Sequence, residues 1–364
     1  MPSARDKRLT LEQSQLLTRA RTMGAGAVIA IYLEDAELLR LTAVIVRDIN
    51  QAIPQAWGIT LPSGAQGYYD LPLAWFQETA AGADFTAAYL ACVETVPDFE
   101  TYLKCLCEIH KRRRKYERIL SAQPIPTMAQ IAPRALLEYG IIAAPALSSW
   151  MTWKKWFYDI DNRAAQETGY LFEPILAAAL GGQPFGARSS PIRRRGDLTK
   201  GRQVDCVVGR AAYEFKLRVT IAASGQGRFT EELEFARDCQ AVGYTPVLLV
   251  LDPTPSFRLS DLSAEYTRVG GEAYIGDAAW KHLEDQAGAT MATFIETYVR
   301  RPIADVDAHA SELLNICMRS ETTESAFLVE LFGRQGDTYR WRIPRQEDQA
   351  LVVEDEADAS DEGG

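Results

Sequence analysis

Asp205 and the pair Glu214 and Lys216 flank a turn at Gly209-Arg210, and their side chains could share one piece of chemistry. Gln203–Val208 and Ala212–Val219 alternate on either side of that turn and read as a hairpin. Folding it sets Asp205 opposite Glu214–Phe215. Alternation puts Tyr213, Phe215, Leu217 and Val219 on one face and Glu214, Lys216, Arg218 and Thr220 on the other. Two carboxylates so placed can share a hard cation such as Mg2+, which takes oxygen ligands and keeps several waters. A lysine beside them can orient the attacking water, help deprotonate it, or stabilise charge developing on a phosphate. Such a set suits phosphodiester hydrolysis and suits redox or acyl-transfer chemistry poorly. Taken without its neighbours, the strand reads equally well as half-buried, with its polar face in water.

The elements around the hairpin favour the chemical alternative. Pro145 opens a helical stretch to Leu180, expected to break near Asp159–Asp161, and Gly181-Gly182 stops it. This helix carries Glu173, a further acid immediately before the sheet. After the hairpin come a helix at Arg228–Val242 and an apolar strand at Pro246–Asp252. The order helix, strand, strand, helix, strand places the hairpin inside a larger sheet. The expected class is α/β (α+β), a mixed central sheet flanked by helices with a mainly helical N-terminal region. Four parts are expected: helices in 1–144, for DNA binding or dimerisation; the core in 145–320; a β-hairpin in 321–353; and an acidic tail in 354–364, too polar to fold.

Charge must be read locally. The 364 residues carry a net −10, but six acids stand in the last eleven residues, and without them the balance is −4. Arg188–Arg237 holds eleven Lys/Arg against six Asp/Glu, and His110–Arg118 holds six bases against Glu117. Both islands could face DNA; Lys111–Lys115 alone could equally be a solvated helix face. Arg188, Arg193, Arg194, Arg195, Lys200 and Arg202 directly precede the Asp205 strand. They would flank a scissile phosphate and clamp its neighbours more readily than read bases; Arg218 and Arg228 join them as DNA-contacting candidates. Trp150, Trp153, Trp156, Phe157 and Tyr158 could stack on bases, but core or dimer interface suits them better. The cysteine spacing lacks a Cys-x-x-Cys pair, and no apolar run could span a membrane, so the cytosol is expected. None of the histidines has metal-ligand or nucleophile spacing, and no Gly-Lys-Ser/Thr supports an ATP-driven activity.

Asp205 followed by Glu214-Phe215-Lys216 resembles the PD-(D/E)XK nuclease signature, with Val204 where a proline often stands. Gly169-Tyr170-Leu171-Phe172-Glu173 is similar to the Gly-x-x-x-Glu helix that supplies another acid in such nucleases. Over Thr168–Ile303 the chain resembles the ApaLI-type family of type II restriction endonucleases. The likeness rests on Thr168–Glu173, Tyr213–Ala223, Ser224–Arg228 and Gly243–Asp252. It implies Mg2+-dependent cleavage of a short palindromic duplex site (GTGCAC in the relative that names the family), a homodimer in a prokaryotic cytosol, and a companion DNA methyltransferase. Two alternatives stay open: a structure-specific or repair nuclease of the same fold, and a non-catalytic DNA-binding module.

Overall fold

Val204–Val208 is buried over its first three residues and Ala211–Lys216 only in part, whereas Thr245–Val250 is buried almost throughout, as a strand covered on both faces must be. The computed structural model describes residues 8–345, apart from 25–28, 66, 79–83, 218–225, 311–312 and 322–324, and without the side chains of 226–228. The central sheet has five strands: β1 (Gln183–Phe185), β2 (Val204–Val208), β3 (Ala211–Lys216), β4 (Thr245–Val250) and β5 (Glu272–Ile275), adjacent in that order. The first two pairings are antiparallel and the last two parallel. The sheet is therefore mixed. Parallel pairing requires crossovers, supplied by the helices Gln226–Ala241 and Phe257–Arg268. With the helix Ala144–Ala179 before the sheet, these are α1 (Ala144–Ala179), α2 (Gln226–Ala241) and α3 (Phe257–Arg268). The edge strands β1 and β5 and helix α3 are additions to the element order expected from sequence.

Alternation sorts the strand residues between two cores. Cys206, Tyr213, Phe215, Val247 and Leu249 face Ile175 and Leu176 of α1. On the other face Val204, Ala212, Leu248 and Val250 meet Phe235 and Cys239 of α2 and Leu262 and Tyr266 of α3. The first core continues into Leu38 and Val44 of the helix Asp35–Asp48, and into Tyr102 and Leu106 of the helix Phe99–Ala122. The division at 144/145 coincides with the start of α1, but packing runs straight across it.

Helix α1 has 36 residues and spans about 54 Å at the usual rise. It does not break at Asp159–Asp161, as its sequence suggested. Lys155 instead pairs with Asp159 one turn on, in line with the helix. Pro174 lies within it and lacks an amide donor for the preceding turn. Within the aromatic cluster, Trp156 is buried and Trp153 lies beside it, their ring centroids 5.4 and 5.1 Å from that of Phe327. Trp150, Phe157 and Tyr158 are exposed. Phe327 belongs to an antiparallel meander of Asn315–Glu321, Ala326–Phe332 and Thr338–Pro344. The expected hairpin thus gains a leading strand, and the 320/321 boundary falls inside it. The acidic tail lies outside the described residues.

Gly182, between α1 and β1, fixes how closely the Glu173 helix approaches the Asp205 strand. A Cβ there would lie 2.8 Å from the Val207 carbonyl oxygen and nearer still to Cys206 Sγ, next to Asp205. Gly182→Ala should therefore destabilise the fold by roughly 1–3 kcal/mol, the usual cost of overpacking. Urea denaturation should show a lower midpoint at an unchanged slope.

Candidate active site

Main-chain pairing between β2 and β3 runs through Val208–Ala211 and Val207–Ala212 and ends at Cys206–Tyr213. One step further the Phe215 amide donates not to a carbonyl but to Asp205 Oδ2, at 2.8 Å. The side chain takes over a ladder bond, so the strands can part without leaving a buried amide unpaired. On its other edge β3 stays paired with β4, Glu214 facing Leu248 and Lys216 facing Val250. One edge is held and the other opened, and Glu214 and Lys216 stand where it opens.

Lys216 Nζ donates to Glu214 Oε1 at 2.8 Å and lies 3.0 Å from Glu232 Oε1 on α2. These three side chains are 22%, 20% and 18% exposed respectively. Burial works against the ammonium charge, but Glu214 and then Glu232 outweigh it and raise the Lys216 pKa above that of a free lysine. Asp205 is pushed up as well, which for a carboxyl disfavours the charged form. Burial, then the charges of Glu214 and Glu173, raise its carboxyl well above the ordinary range, and the Phe215 amide and Lys216 offset only part of this. A cluster of carboxylates so crowded favours a cation among them.

Glu173 reaches the cluster from α1. It lines a cavity of about 180 Å³ with Gly169, Phe172, Phe215 and Lys216. Gly169 stands one turn before Glu173 and leaves room in front of it; a Cβ there would lie 3.9 Å from Oε1. Asp205, Glu214, Lys216 and Glu173 therefore converge, although they come from three different elements. Among the described residues no three His, Cys, Asp or Glu form a closed metal cage. Two carboxylates completed by water and phosphate oxygens would instead make an open site of the kind Mg2+ takes.

Glu232 is the residue that sequence reasoning passed over. Glu231, Glu232 and Glu234 stand together on α2, and a helix turns about 100° per residue, so neighbours face different ways. Only the packed fold shows which of them meets Lys216.

The basic loop has another occupation. Arg193–Arg194 pairs with Asp197–Gly201 as a short ribbon, with Ile192 buried beneath it. Arg202 is 6% exposed and bonds Asp238 at 2.7 Å and Glu234 at 3.1 Å, as well as Glu231. Arg195 also binds Asp238, at 3.3 Å, and Arg194 binds Glu231, at 2.9 Å. These arginines fasten the loop to α2. Arg188 and Lys200 are exposed, Lys200 beside Asp197 at 3.3 Å, and Arg193 is half-buried. Arg218 and the side chain of Arg228 lie outside the described residues.

The other basic island is mostly engaged within the protein, although Arg118 is exposed. Arg112 and Lys115 both pair with Glu167 on α1 at 2.7 Å, and Arg114 pairs with Glu37 at 2.7 Å. Lys111 is buried and donates to the carbonyls of Arg19 and Thr22. His110 is buried against Tyr68 and Glu37, and His282 bonds Tyr213. The island clamps the N-terminal helices to the helix that carries Glu173.

A mixed sheet between helices, with carboxylates and a lysine at an opened hairpin, is the arrangement of a nuclease. Comparison with known proteins agrees. The ApaLI-like restriction endonuclease model matches residues 77–300. The type II restriction enzyme ApaLI of Acetobacter pasteurianus is 48% identical over 377 residues, covering 97% of this chain and 99% of that protein. No solved structure matches. This chain belongs to the ApaLI-like restriction endonuclease family, and its activity is that of a type II site-specific endonuclease, a hydrolase of a restriction-modification system. The match begins well before Thr168, so much of the helical N-terminal region belongs to the family too.

The ion pairs of Arg202 make a prediction that separates support from DNA contact. Arg202→Ala leaves Asp238 buried without its main partner and should cost on the order of 3–5 kcal/mol, measurable by denaturant titration. Lys200→Ala should leave stability within about 0.5 kcal/mol of the parent.

Proposed function

We propose that this endonuclease is Mg2+-dependent, is built on a PD-(D/E)XK core, and cuts a short palindromic duplex at the centre formed by Asp205, Glu214, Lys216 and Glu173. The observation that supports this most is the Asp205 side chain taking the Phe215 amide where the hairpin parts, with Glu214 and Lys216 beside it. Asp205 and Glu214 would hold the cation, which when bound supplies Lewis-acid activation of water and of the phosphate. Lys216, beside Glu214, serves as a positive charge and hydrogen-bond donor to the phosphate. Glu173, across the cavity, orients the attacking water and accepts its proton. The bond from water to phosphorus forms as the bond from phosphorus to the leaving sugar oxygen breaks.

A palindrome cut on both strands calls for two such centres, which a homodimer provides, each copy cutting one strand. GTGCAC is the target implied by the family resemblance. Arg188, Arg193 and Lys200 are the loop residues best placed to meet phosphates outside the centre, with Arg218 and Arg228 as further candidates after β3; Arg194, Arg195 and Arg202 hold the loop in place. A companion DNA methyltransferase would protect the host's own sites. The enzyme would work in the cytosol, where that DNA lies; no described helix is long and apolar enough to cross a membrane.

Single-turnover cleavage of a plasmid carrying GTGCAC tests the centre. Asp205→Ala should abolish Mg2+-dependent cutting while DNA binding in Ca2+ persists. Lys216→Ala should cut ~10²-fold or more slowly, since a preorganised charge at the phosphate is lost. Lys216→Arg should be nearly as slow, because a planar fork does not replace a point ammonium. A folded Lys216→Ala enzyme cutting within about threefold of the parent would remove Lys216 from the mechanism, since such a charge is typically worth far more.

A further inference from the structure

Lys216 is held from two sides, and the two holds differ in kind. Glu214 is a proposed cation ligand, so its carboxylate has two claimants. Glu232 comes from α2 on the other side of the ammonium, 3.0 Å from Nζ. Its second oxygen, Oε2, is buried and has no hydrogen-bond partner among the described residues. Tyr266 on α3, packed in the core beneath α2, is also buried, and its hydroxyl too has no partner among the described residues. Burial, then the charges of Glu214, Cys239, Asp205 and Glu232, push its pKa well above that of a free tyrosine. A buried carboxylate oxygen without a partner costs stability, the more so for a charged group. A half-buried glutamate whose main contact is Lys216 is not explained by the fold alone.

We infer that Glu232 is a positioning residue of this nuclease, a second anchor for the Lys216 ammonium that keeps it in place for the phosphate when Glu214 turns to the cation. The inference rests on the proposed centre and extends it by one residue. The physical argument is a competition. An ammonium with only Glu214 within reach collapses onto it, and the same carboxylate then cannot serve as a cation ligand without breaking that pair. A second acceptor divides the ammonium's hydrogen bonds. When Glu214 turns to a cation, Lys216 keeps an anchor and its place. Glu232 touches neither cation nor phosphate in this account; it acts only through Lys216.

Three comparisons test this. In single-turnover cleavage at saturating Mg2+, Glu232→Ala should be slower by ~10-fold or more while DNA affinity in Ca2+ is unchanged, because only the transition-state charge is misplaced. Glu232→Gln should recover most of that loss, since the amide oxygen still accepts from Nζ and the shape is conserved. In a Lys216→Ala background, Glu232→Ala should cost nothing further, the signature of two residues acting through one contact. A readout independent of cutting is the Ca2+ concentration giving half of the thermal stabilisation by Ca2+. It should rise several-fold in Glu232→Ala and return to the parent value when Lys216 is also Ala.

The inference is overturned if Glu232→Ala cuts at the parent rate, if Gln is as slow as Ala, or if Glu232→Ala slows the Lys216→Ala enzyme by its full factor again. Failure of the centre itself is distinguishable. Asp205→Ala would then still cut, and Ca2+ would stabilise that variant as it does the parent.

Discussion

Much of the proposed centre depends on one hydrogen bond, from the Phe215 amide to Asp205 Oδ2. A hairpin whose strands stay paired to their ends offers no opening, and one whose strands part in the interior leaves buried amides unsatisfied. By accepting that amide with its side chain, Asp205 lets β2 leave β3 one residue early at no hydrogen-bond loss. The same bond engages Oδ2, so the proposed ligand role falls to the other oxygen. The parallel pairing of Glu214–Lys216 with Leu248–Val250 holds β3 on its other edge beyond the end of its pairing with β2.

The remaining elements hold this arrangement under its own electrostatic load. Asp205, Glu214, Glu173 and Glu232 surround one lysine, and such a cluster would push apart in a looser scaffold. Two ion-pair systems brace it from either side. Glu167, on the helix of Glu173, is gripped by Arg112 and Lys115. Glu231, Glu234 and Asp238, on the helix of Glu232, are gripped by Arg194, Arg195 and Arg202. Both basic islands of the sequence are therefore largely occupied in positioning the helices that bring acids to the site. The helical N-terminal region contributes by the same route, sharing a core with the sheet and anchoring α1.

The arrangement of the candidate site was readable in the sequence where its geometry is local. A two-residue period puts Glu214 and Lys216 on one face whatever the rest of the chain does, and a short turn brings Asp205 opposite them. Glu173 could be placed near the site because its helix leads straight into the sheet, with only Gly181-Gly182 between helix and strand. Glu232 could not be placed, since its meeting with Lys216 depends on how α2 rotates against the sheet. The basic islands were ambiguous for a related reason. Six bases within nine residues look the same whether their acids are in solvent or on another helix, and Glu167 and Glu37 are distant in sequence. The missed strands β1 and β5 are three and four residues long, too short for alternation to show.

The central claim is that Asp205 and Glu214 hold a divalent cation with Lys216 at the scissile phosphate. Its most direct test is a crystal structure of the enzyme with Ca2+ and an uncut duplex carrying the target site. The account predicts an ion at about 2.3–2.6 Å from one oxygen each of Asp205 and Glu214, the usual Ca2+–oxygen range. Lys216 Nζ should lie within hydrogen-bond distance of the phosphate, with the Phe215 amide still on Asp205. An ion held by other residues, or a scissile phosphate far from Lys216, would contradict it.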